Sequence, residues 1–444
     1  MNGQVQKWIK VLAGVILSTA GLCIYSYYIF IASTEGRDSF LLARPLLNFA
    51  TYPKTISEVL TSKEVKGLAP SYLKLDKEVE VINKLDKDLF MLNSNWMEKE
   101  KAWSIKLTNL KDNEIIHEWK ITQDMVDLST TDWQFSNTMP RTPILLENNN
   151  LIVTLEYTAN IMRLDGESNI VWKNNEIIHH HAMNLDADST IWSCTADLIE
   201  GKNTKVKEVK NIADNSYLFR DDYITQLDVN SGKILLKKSV SEILVENDLG
   251  GVLFGVGDPD GNPQDPMHLN DVEPVFEDGP FWKKGDLFLS IRHLSMVVLY
   301  RPSTNEVIRT IYGPFANQHD VDIIDSTKII LFNNNFIHNE NDSLNHISVE
   351  PYAEFKSSNS MIYDFYEDSY SYLYKDLFEQ EDVRTQTQGM QTLFSDGSIF
   401  VESQNQGKIF IFAESGVLLR TVIPTELEGY IHYPNWARVY ENID

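Results

Sequence analysis

The chain has 444 residues, 43% of them hydrophobic and 23% charged, which is a globular composition long enough for one large domain or several ordinary ones. Its 64 acidic and 39 basic side chains give a formal net charge of −25, which argues against nucleic acid and against broad contact with anionic lipid. The two cysteines, Cys23 and Cys194, are far apart in sequence, so we expect no disulfide framework.

The chain begins with an apolar run, from about Val11 to Ala32, that is long enough to span a bilayer. Lys7 and Lys10 precede the run, so the positive-inside rule places the N-terminus in the cytoplasm. A cleaved signal peptide is the alternative, but the bulky C-terminal half of the run favours an uncleaved anchor. We therefore predict a single-pass protein of the inner (cytoplasmic) membrane. Residues 1–34 form its cytoplasmic tip and transmembrane anchor, and its body lies in the periplasm or outside the cell.

Residues 35–77 are predicted to form a neck or linker. Helix-like apolar spacing at 39–49 is followed by Pro53 and Pro70, which interrupt regular structure. From residue 78 the chain changes to short apolar runs separated by Asn, Asp, Gly and Ser, with no long amphipathic helix pattern. This texture predicts an all-β domain over residues 78–444.

A two-element repeat runs through the predicted β domain. The first element is a polar turn followed by an apolar strand, found at 147–153, 186–192, 284–289, 325–331 and 395–401. The second is a strand, a tight turn and another strand, found at 161–172, 227–236, 298–308 and 409–418. Recurrence every roughly 40 to 80 residues predicts a β-propeller of about five or six four-stranded blades.

Histidines cluster beside these predicted strands. Six of the ten lie in four short stretches, at 177–181, 267–270, 290–293 and 313–320, and the third stretch also contains Arg292. Imidazole can serve as a nucleophile or proton carrier near neutral pH, and a guanidinium binds an oxyanion through its fork of N–H donors. The set suits group transfer from an anionic substrate. The alternatives are loop histidines, an adventitious metal binder and a structural ion pair for Arg292.

These stretches resemble segments of the arylsulfate sulfotransferase family, the PAPS-independent bacterial enzymes. Residues 180–192 look like the family's His-His segment, which leads through an acidic turn into a strand. Residues 268–293 are similar to a His-x-Asn segment followed by a strand that ends Ser-x-Arg-His. Residues 313–334 resemble a Gly-Pro…Gln-His stretch before a strand that ends Phe-Asp-Asn, and 388–409 give a weaker fourth match.

The resemblance implies a six-bladed propeller with its site at the central channel. It also implies transfer of a sulfuryl group from a phenolic sulfate ester to a phenolic acceptor through a sulfohistidine. His319 would be the nucleophile, while Arg292 and His268 would bind the sulfuryl or bridging oxygens. His181 would complete the site, and His180 is the alternative if the match to the family segment is shifted by one residue. No cofactor and no metal ion are expected.

The sequence departs from the family pattern at Ala182, where an acidic residue is common, and in the lengthened second segment. A non-catalytic propeller that binds a ligand or acts as a scaffold is the alternative function. A quinone- or metal-dependent oxidoreductase would need a cofactor platform or ligand set for which the sequence gives no sign. Asp258, Asp260 and Asp265 fit no calcium-loop spacing, so we expect a solvated loop there.

Overall fold

The computed structural model describes residues 71–75, 78–131, 133–199, 219–255, 265–336 and 357–443, with residues 18, 19, 21 and 24–28 near the start. The chain divides into two compact units, Met1–Leu68 and Ala69–Asp444. The predicted anchor at 1–34 and neck at 35–77 lie mostly outside the described residues. Among the residues that are described, no helix is both long and apolar enough to cross a membrane.

The described part of the second unit consists mainly of β-strands. In its first half the elements are β1 (Tyr72–Lys74), β2 (Ile82–Asn83), β3 (Phe90–Met97), β4 (Ala102–Asn109), β5 (Ile115–Ile121), β6 (Pro140–Leu146), β7 (Asn150–Leu155), β8 (Ile161–Leu164), β9 (Ile170–Asn174), β10 (Ile178–Leu185), β11 (Thr190–Ile199), β12 (Phe219–Asp228), β13 (Ile234–Ser239), α1 (Val240–Glu246) and α2 (Val252–Gly255). In its second half they are β14 (Leu269–Pro274), β15 (Leu287–Ile291), β16 (Met296–Arg301), β17 (Glu306–Tyr312), β18 (His319–Asp325), β19 (Lys328–Asn333), β20 (Asn359–Asp364), β21 (Ser369–Leu373), α3 (Lys375–Gln380), β22 (Met390–Leu393), β23 (Ile399–Ser403), β24 (Lys408–Ala413), β25 (Gly416–Thr421), β26 (Ile423–Pro424), β27 (Tyr430–His432) and β28 (Arg438–Tyr440).

The strands form six antiparallel blades. From the innermost strand outwards they are β28-β3-β4-β5, β6-β7-β8-β9, β10-β11-β12-β13, β14-β15-β16-β17, β18-β19-β20-β21 and β22-β23-β24-β25, the last extended by β2. The strands β1, β27 and β26 form a separate three-stranded sheet. The C-terminal β28 completes the first blade by pairing with β3, with Arg438 opposite Leu92. The two ends of the domain therefore close one ring, as in a six-bladed β-propeller.

The innermost strands line the centre of this ring. Strand β6 packs against β10, β10 against β14, β14 against β18, β18 against β22, and β28 against β6. Between the sixth and first blades, the buried Glu402 carboxylate accepts the backbone N–H groups of Trp436 (3.0 Å) and Ala437 (2.8 Å). Each innermost strand thus contacts the neighbouring blades at the centre.

The hydrophobic core lies between the blades, so each sheet is buried on both faces. In β15, Leu287 and Leu289 belong to the cluster shared with Cys194 of the third blade. Phe288, which points to the opposite face, packs with Val321 of the fifth blade. Successive side chains of a strand alternate between faces, and here both faces are apolar. The strands therefore appear in the sequence as continuous apolar runs.

The repeat in the sequence corresponds to particular strands of the blades. The five turn-and-strand elements are β7, β11, β15, β19 and β23, the second strands of blades two to six. The four strand-turn-strand elements give the third and fourth strands of blades two, three, four and six. These predictions are confirmed. The first blade and the innermost strands were not predicted, because the first blade is split between the two ends of the domain and the innermost strands are polar and irregular.

Candidate active site

At or just before each innermost strand, at least one non-glycine residue has a left-handed backbone. These residues are Thr142 (φ 40°), His181 (φ 56°), His268 (φ 54°), Asn317 (φ 55°), Asp320 (φ 53°), Gln388 (φ 69°) and Trp436 (φ 53°). Such conformations are uncommon outside glycine. In β6, β10 and β18, shifts in the pairing register coincide with Thr142, His181 and Asp320, as expected for β-bulges, and in β14 the shift lies between Leu269 and Asp271, directly after His268. The bulges interrupt the alternation of side chains, and polar and aromatic groups from several blades meet at the centre.

His319 begins β18 and is buried. Its Nδ1 lies 2.6 Å from Oδ1 of Asn334 and 3.1 Å from the carbonyl oxygen of Asn317. The amide of Asn334 is held in this orientation because its Nδ2 donates to the carbonyl oxygen of Thr385 at 2.8 Å. The backbone N–H of Gln388 points at His319 Nε2 from 3.3 Å. These partners assign the proton of the neutral ring to Nδ1 and the lone pair to Nε2.

Arg292 and His268 are connected through His293. Nη1 of Arg292 lies 2.7 Å from Nε2 of His293, and the His293 ring stacks on that of His268 with centroids 4.4 Å apart. Asp265 holds both imidazoles. Its carbonyl oxygen accepts from His293 Nδ1 at 2.6 Å, and its Oδ2 lies 2.6 Å from His268 Nδ1. The guanidinium and the imidazole of His268 are therefore fixed in one assembly, in which Arg292, His293 and Asp265 are buried and the His268 side chain is 15% exposed.

His181 lies between this assembly and His319. Its Nε2 is 3.2 Å from Nε2 of His268, and its ring centroid is 6.4 Å from that of His319. The indole of Trp436 packs against both rings, at 5.3 Å from His181 and 5.8 Å from His319. His180 lies behind His181, with their Nδ1 atoms 2.8 Å apart. Of the two alternatives in register, His181 is therefore the residue that faces the other predicted site residues.

Burial lowers the pKa of three histidines of the site. It lowers the pKa of His319 well below its usual value, and the charge of Arg292 adds to this effect, while the hydrogen bond to Asn334 opposes it. Burial also lowers the pKa of His181. It lowers the pKa of His268 to about 4, although Asp265 acts in the opposite direction. Neutral imidazoles keep the lone pairs that nucleophilic and base chemistry require.

The structure brings His181, His268, Arg292 and His319 together, with His180 directly behind them. The roles assigned to them in the sequence analysis remain predictions. The expectation of a solvated loop at Asp265 is wrong, because its side chain is buried and holds His268 in place. Asp258 and Asp260 lie outside the described residues.

Several groups of the site were not singled out from the sequence. His293 and Asn334 end two of the segments that carry the family resemblance, but the sequence analysis gave them no role in the site. Trp436 comes after the last repeat element, two residues before β28, the strand that closes the ring. Only the closure of the propeller brings Trp436 to the site, and no local pattern indicates it.

Asp265, His268 and His293 could also hold a metal ion, since each offers a ligand atom within 4.8 Å of the others. However, Nη1 of Arg292 lies 2.7 Å from His293 Nε2, which is one of the atoms that a metal would need. A cation there would lie beside a guanidinium charge in a buried environment, where repulsion is weakly screened. The same arrangement favours an anion.

Comparison with known proteins identifies the family of the chain. Among solved structures, a protein of unknown function from Bacteroides caccae has a TM-score of 0.47 at 8% identity, covering 78% of this chain and 97% of its own. A virginiamycin B lyase from Staphylococcus aureus has a TM-score of 0.39 at 8% identity, covering 79% and 89%. No curated protein sequence matches the chain. The sequence profile of the arylsulfotransferase (ASST) family matches residues 142–423, which is more than half of the chain. The chain therefore belongs to the arylsulfotransferase family.

Proposed function

We propose that the protein transfers a sulfuryl group from a phenolic sulfate ester to a phenolic acceptor through a sulfohistidine at His319. The observation that carries this proposal is the hydrogen bonding of that ring. Both oxygen partners of His319 lie at Nδ1, and an N–H donor lies at Nε2, so the lone pair is on Nε2. A neutral imidazole with a fixed lone pair can attack sulfur and divide one transfer into two steps.

The other groups of the site fit the charge of a sulfate monoester. Transfer of a sulfuryl group resembles phosphoryl transfer, in which positioning and charge stabilisation do most of the work. Arg292 offers a planar fork for the sulfuryl oxygens. The Nε2 atoms of His181 and His268, 3.2 Å apart, can bind the bridging oxygen and exchange a proton with it. Trp436 offers an aromatic surface for a phenolic ring.

In this proposal the donor is the aryl sulfate itself, so no nucleotide cofactor is needed. We would incubate the purified full-length protein with p-nitrophenyl sulfate and phenol and follow nitrophenolate release. Release that depends on phenol and yields phenyl sulfate would support sulfuryl transfer. A folded protein that releases nitrophenolate at the same rate without phenol, and forms inorganic sulfate, would be a sulfatase instead.

The pH dependence of transfer follows from the lowered pKa of His319. The nucleophile is the neutral ring, and neutral His319 predominates at every pH above its lowered pKa. We therefore expect kcat/KM for p-nitrophenyl sulfate to stay nearly constant as the pH falls through 6.5, the ordinary pKa of histidine. A profile that falls tenfold per pH unit from about 6.5 downwards would contradict the assignment of a buried, neutral nucleophile.

We also propose that the protein is attached to the inner membrane by residues 1–34, with the propeller outside the cytoplasm. The apolar run from about Val11 to Ala32, preceded by Lys7 and Lys10, supports this orientation. Cell fractionation tests it. The intact chain should stay with the membrane under alkaline extraction, whereas recovery of a soluble chain that lacks its first residues would indicate a cleaved signal peptide.

A further inference from the structure

A row of contacts continues behind His181, on the side away from the proposed nucleophile. His180 Nδ1 lies 2.8 Å from His181 Nδ1, and His180 Nε2 lies 3.4 Å from Oδ1 of Asp222. On the other side, His181 Nε2 lies 3.2 Å from His268 Nε2, and His268 Nδ1 lies 2.6 Å from Oδ2 of Asp265. Three imidazoles are thus joined in series between two carboxylates. We call these five residues the histidine row.

Arg220 lies near both ends of the histidine row. Its Nε is 3.7 Å from Oδ1 of Asp222, and its Nη1 is 3.5 Å from Oδ2 of Asp265. Both carboxylates are buried, since Asp222 is 0% exposed and Asp265 is 3% exposed. Oδ2 of Asp222 accepts the backbone N–H of Leu269 at 2.6 Å. This bond leaves the other oxygen of Asp222 turned towards His180.

The contacts of the row outnumber its protons. There are four contacts, each of which needs one proton to become a hydrogen bond, and three neutral imidazoles carry three. The shortest contact uses the Nδ1 proton of His268, so His268 Nε2 accepts from His181, and His181 Nδ1 accepts from His180. The contact left without a proton is His180 Nε2 to Asp222 Oδ1. It is also the longest of the four at 3.4 Å, and neither atom has a hydrogen-bond partner.

A fourth proton on His180 Nε2 would complete the row, because it would turn two facing acceptors into a charge-assisted hydrogen bond. The charged groups that act on the row are three carboxylates and three guanidinium groups, those of Asp222, Asp265, Glu156, Arg141, Arg220 and Arg292. The histidine row therefore has two hydrogen-bonded states that differ by one proton.

We propose that the histidine row stores the proton that the two half-reactions exchange, with His180 and Asp222 as positioning residues that act through His181. This inference rests on the proposed function. In the first half-reaction the donor's S–O(aryl) bond breaks and an S–N bond forms at His319 Nε2. The leaving aryl oxygen takes the proton from His181 Nε2. His181 Nδ1 then takes the Nδ1 proton of His180, which keeps its Nε2 proton against Asp222.

After this step His181 Nε2 carries a lone pair and the row holds three protons. In the second half-reaction the acceptor phenol gives its proton to His181 Nε2 as its oxygen bonds to sulfur and the S–N bond breaks. The proton on His181 Nδ1 returns to His180, and the row again holds four. One proton leaves and one enters in each cycle. His181 thereby acts first as general acid and then as general base without exchange with solvent.

The substitution Asp222→Asn tests the proposal. The asparagine keeps an oxygen for the Leu269 N–H and presents an N–H to His180 Nε2, so the row is complete with three protons and cannot take the fourth. We expect kcat/KM to fall by about 10²-fold with phenyl sulfate, whose leaving phenolate is strongly basic, and by less than about tenfold with p-nitrophenyl sulfate, whose leaving group needs no proton. The ratio of the two losses does not depend on the folded fraction.

Asp221→Asn is the matched control. The Asp221 carboxylate is buried one residue earlier in β12 and contacts the Ser239 hydroxyl at 2.6 Å, outside the histidine row. We expect this variant to keep the wild-type ratio between the two donors. If Asp222→Asn lowers the rates with both donors by the same factor, Asp222 has only a structural role and the proposal fails.

A measurement without substrate separates this proposal from the proposed function. If the wild type transfers from neither donor, the proposed function fails. Nitrogen NMR of ¹⁵N-histidine-labelled protein then tests separately whether the histidine row holds the fourth proton. The His180 signal, assigned by its loss in His180→Gln, should show both nitrogens protonated near neutral pH in the wild type and one in Asp222→Asn. One protonated nitrogen in both proteins would overturn the proposed proton store.

Discussion

Replacement of His319 by alanine is expected to abolish sulfuryl transfer while leaving the propeller folded. The substitution removes the nitrogen that would accept the sulfuryl group. Among the histidines that the structure describes, no other has its lone pair fixed by Asn334 and Gln388. Loss of a nucleophile from a preorganised site costs about 10⁴-fold or more in turnover. The measurement is nitrophenolate release from p-nitrophenyl sulfate with phenol present.

The matched control for this variant is His432→Ala. His432 is also buried, and burial lowers its pKa to about 4, but it lies in the three-stranded sheet formed by β1, β27 and β26. Removal of its ring creates a comparable cavity away from the site, so activity should remain within a few-fold of wild type. Equal losses of activity in the two variants would show that His319 contributes stability and not chemistry.

Arg292→Lys is expected to lower kcat/KM by about 10²- to 10³-fold, the size of effect seen when one oxyanion donor is removed. Lysine keeps the positive charge but replaces the planar fork by a single point charge. The substitution also removes the contact between Arg292 Nη1 and His293 Nε2. The His268 ring, which stacks on His293, then loses its fixed position. Steady-state kinetics with a phenolic sulfate measure the effect.

Arg301→Lys serves as the control for that exchange. Arg301 lies in the same blade and forms a two-pronged ion pair with Asp286, at 2.8 and 2.7 Å, on the partly exposed part of β16. Its replacement should leave activity unchanged, because this ion pair lies outside the site. Some stability should be lost, since the Asp286 carboxylate is buried and loses its two-pronged partner. If Arg292→Lys keeps wild-type kcat/KM, the guanidinium does not bind the transferred group.

The blade strands could be predicted from the sequence because burial on both faces makes them short apolar runs between polar turns. The innermost strands could not. In β10, pairing shifts between His179 and Met183, and His181 between them has a left-handed backbone. A bulge of this kind breaks the period of two on which strand prediction depends. The strands that carry the site are therefore the least visible ones in the sequence.

The candidate residues were easier to find than the groups that hold them. Histidine is rare in this chain, so a cluster beside predicted strands stands out. Asp222 gives no comparable signal, because only the pairing of β11 with β12 and the packing of neighbouring blades bring it beside His180. Asp265 follows an acidic, proline-containing segment that is typical of solvated loops. Its burial depends on tertiary contacts with His268 and His293.

The most direct test of the sulfohistidine proposal is a search for the covalent intermediate. The full-length protein would be mixed with p-nitrophenyl sulfate in the absence of an acceptor, quenched, digested and analysed by mass spectrometry. We expect one equivalent of nitrophenolate in a rapid burst and a single sulfuryl group on His319, lost again when phenol is added before the quench. Turnover with phenol but no burst and no modified histidine would mean direct transfer between donor and acceptor, and would contradict the proposed role of His319.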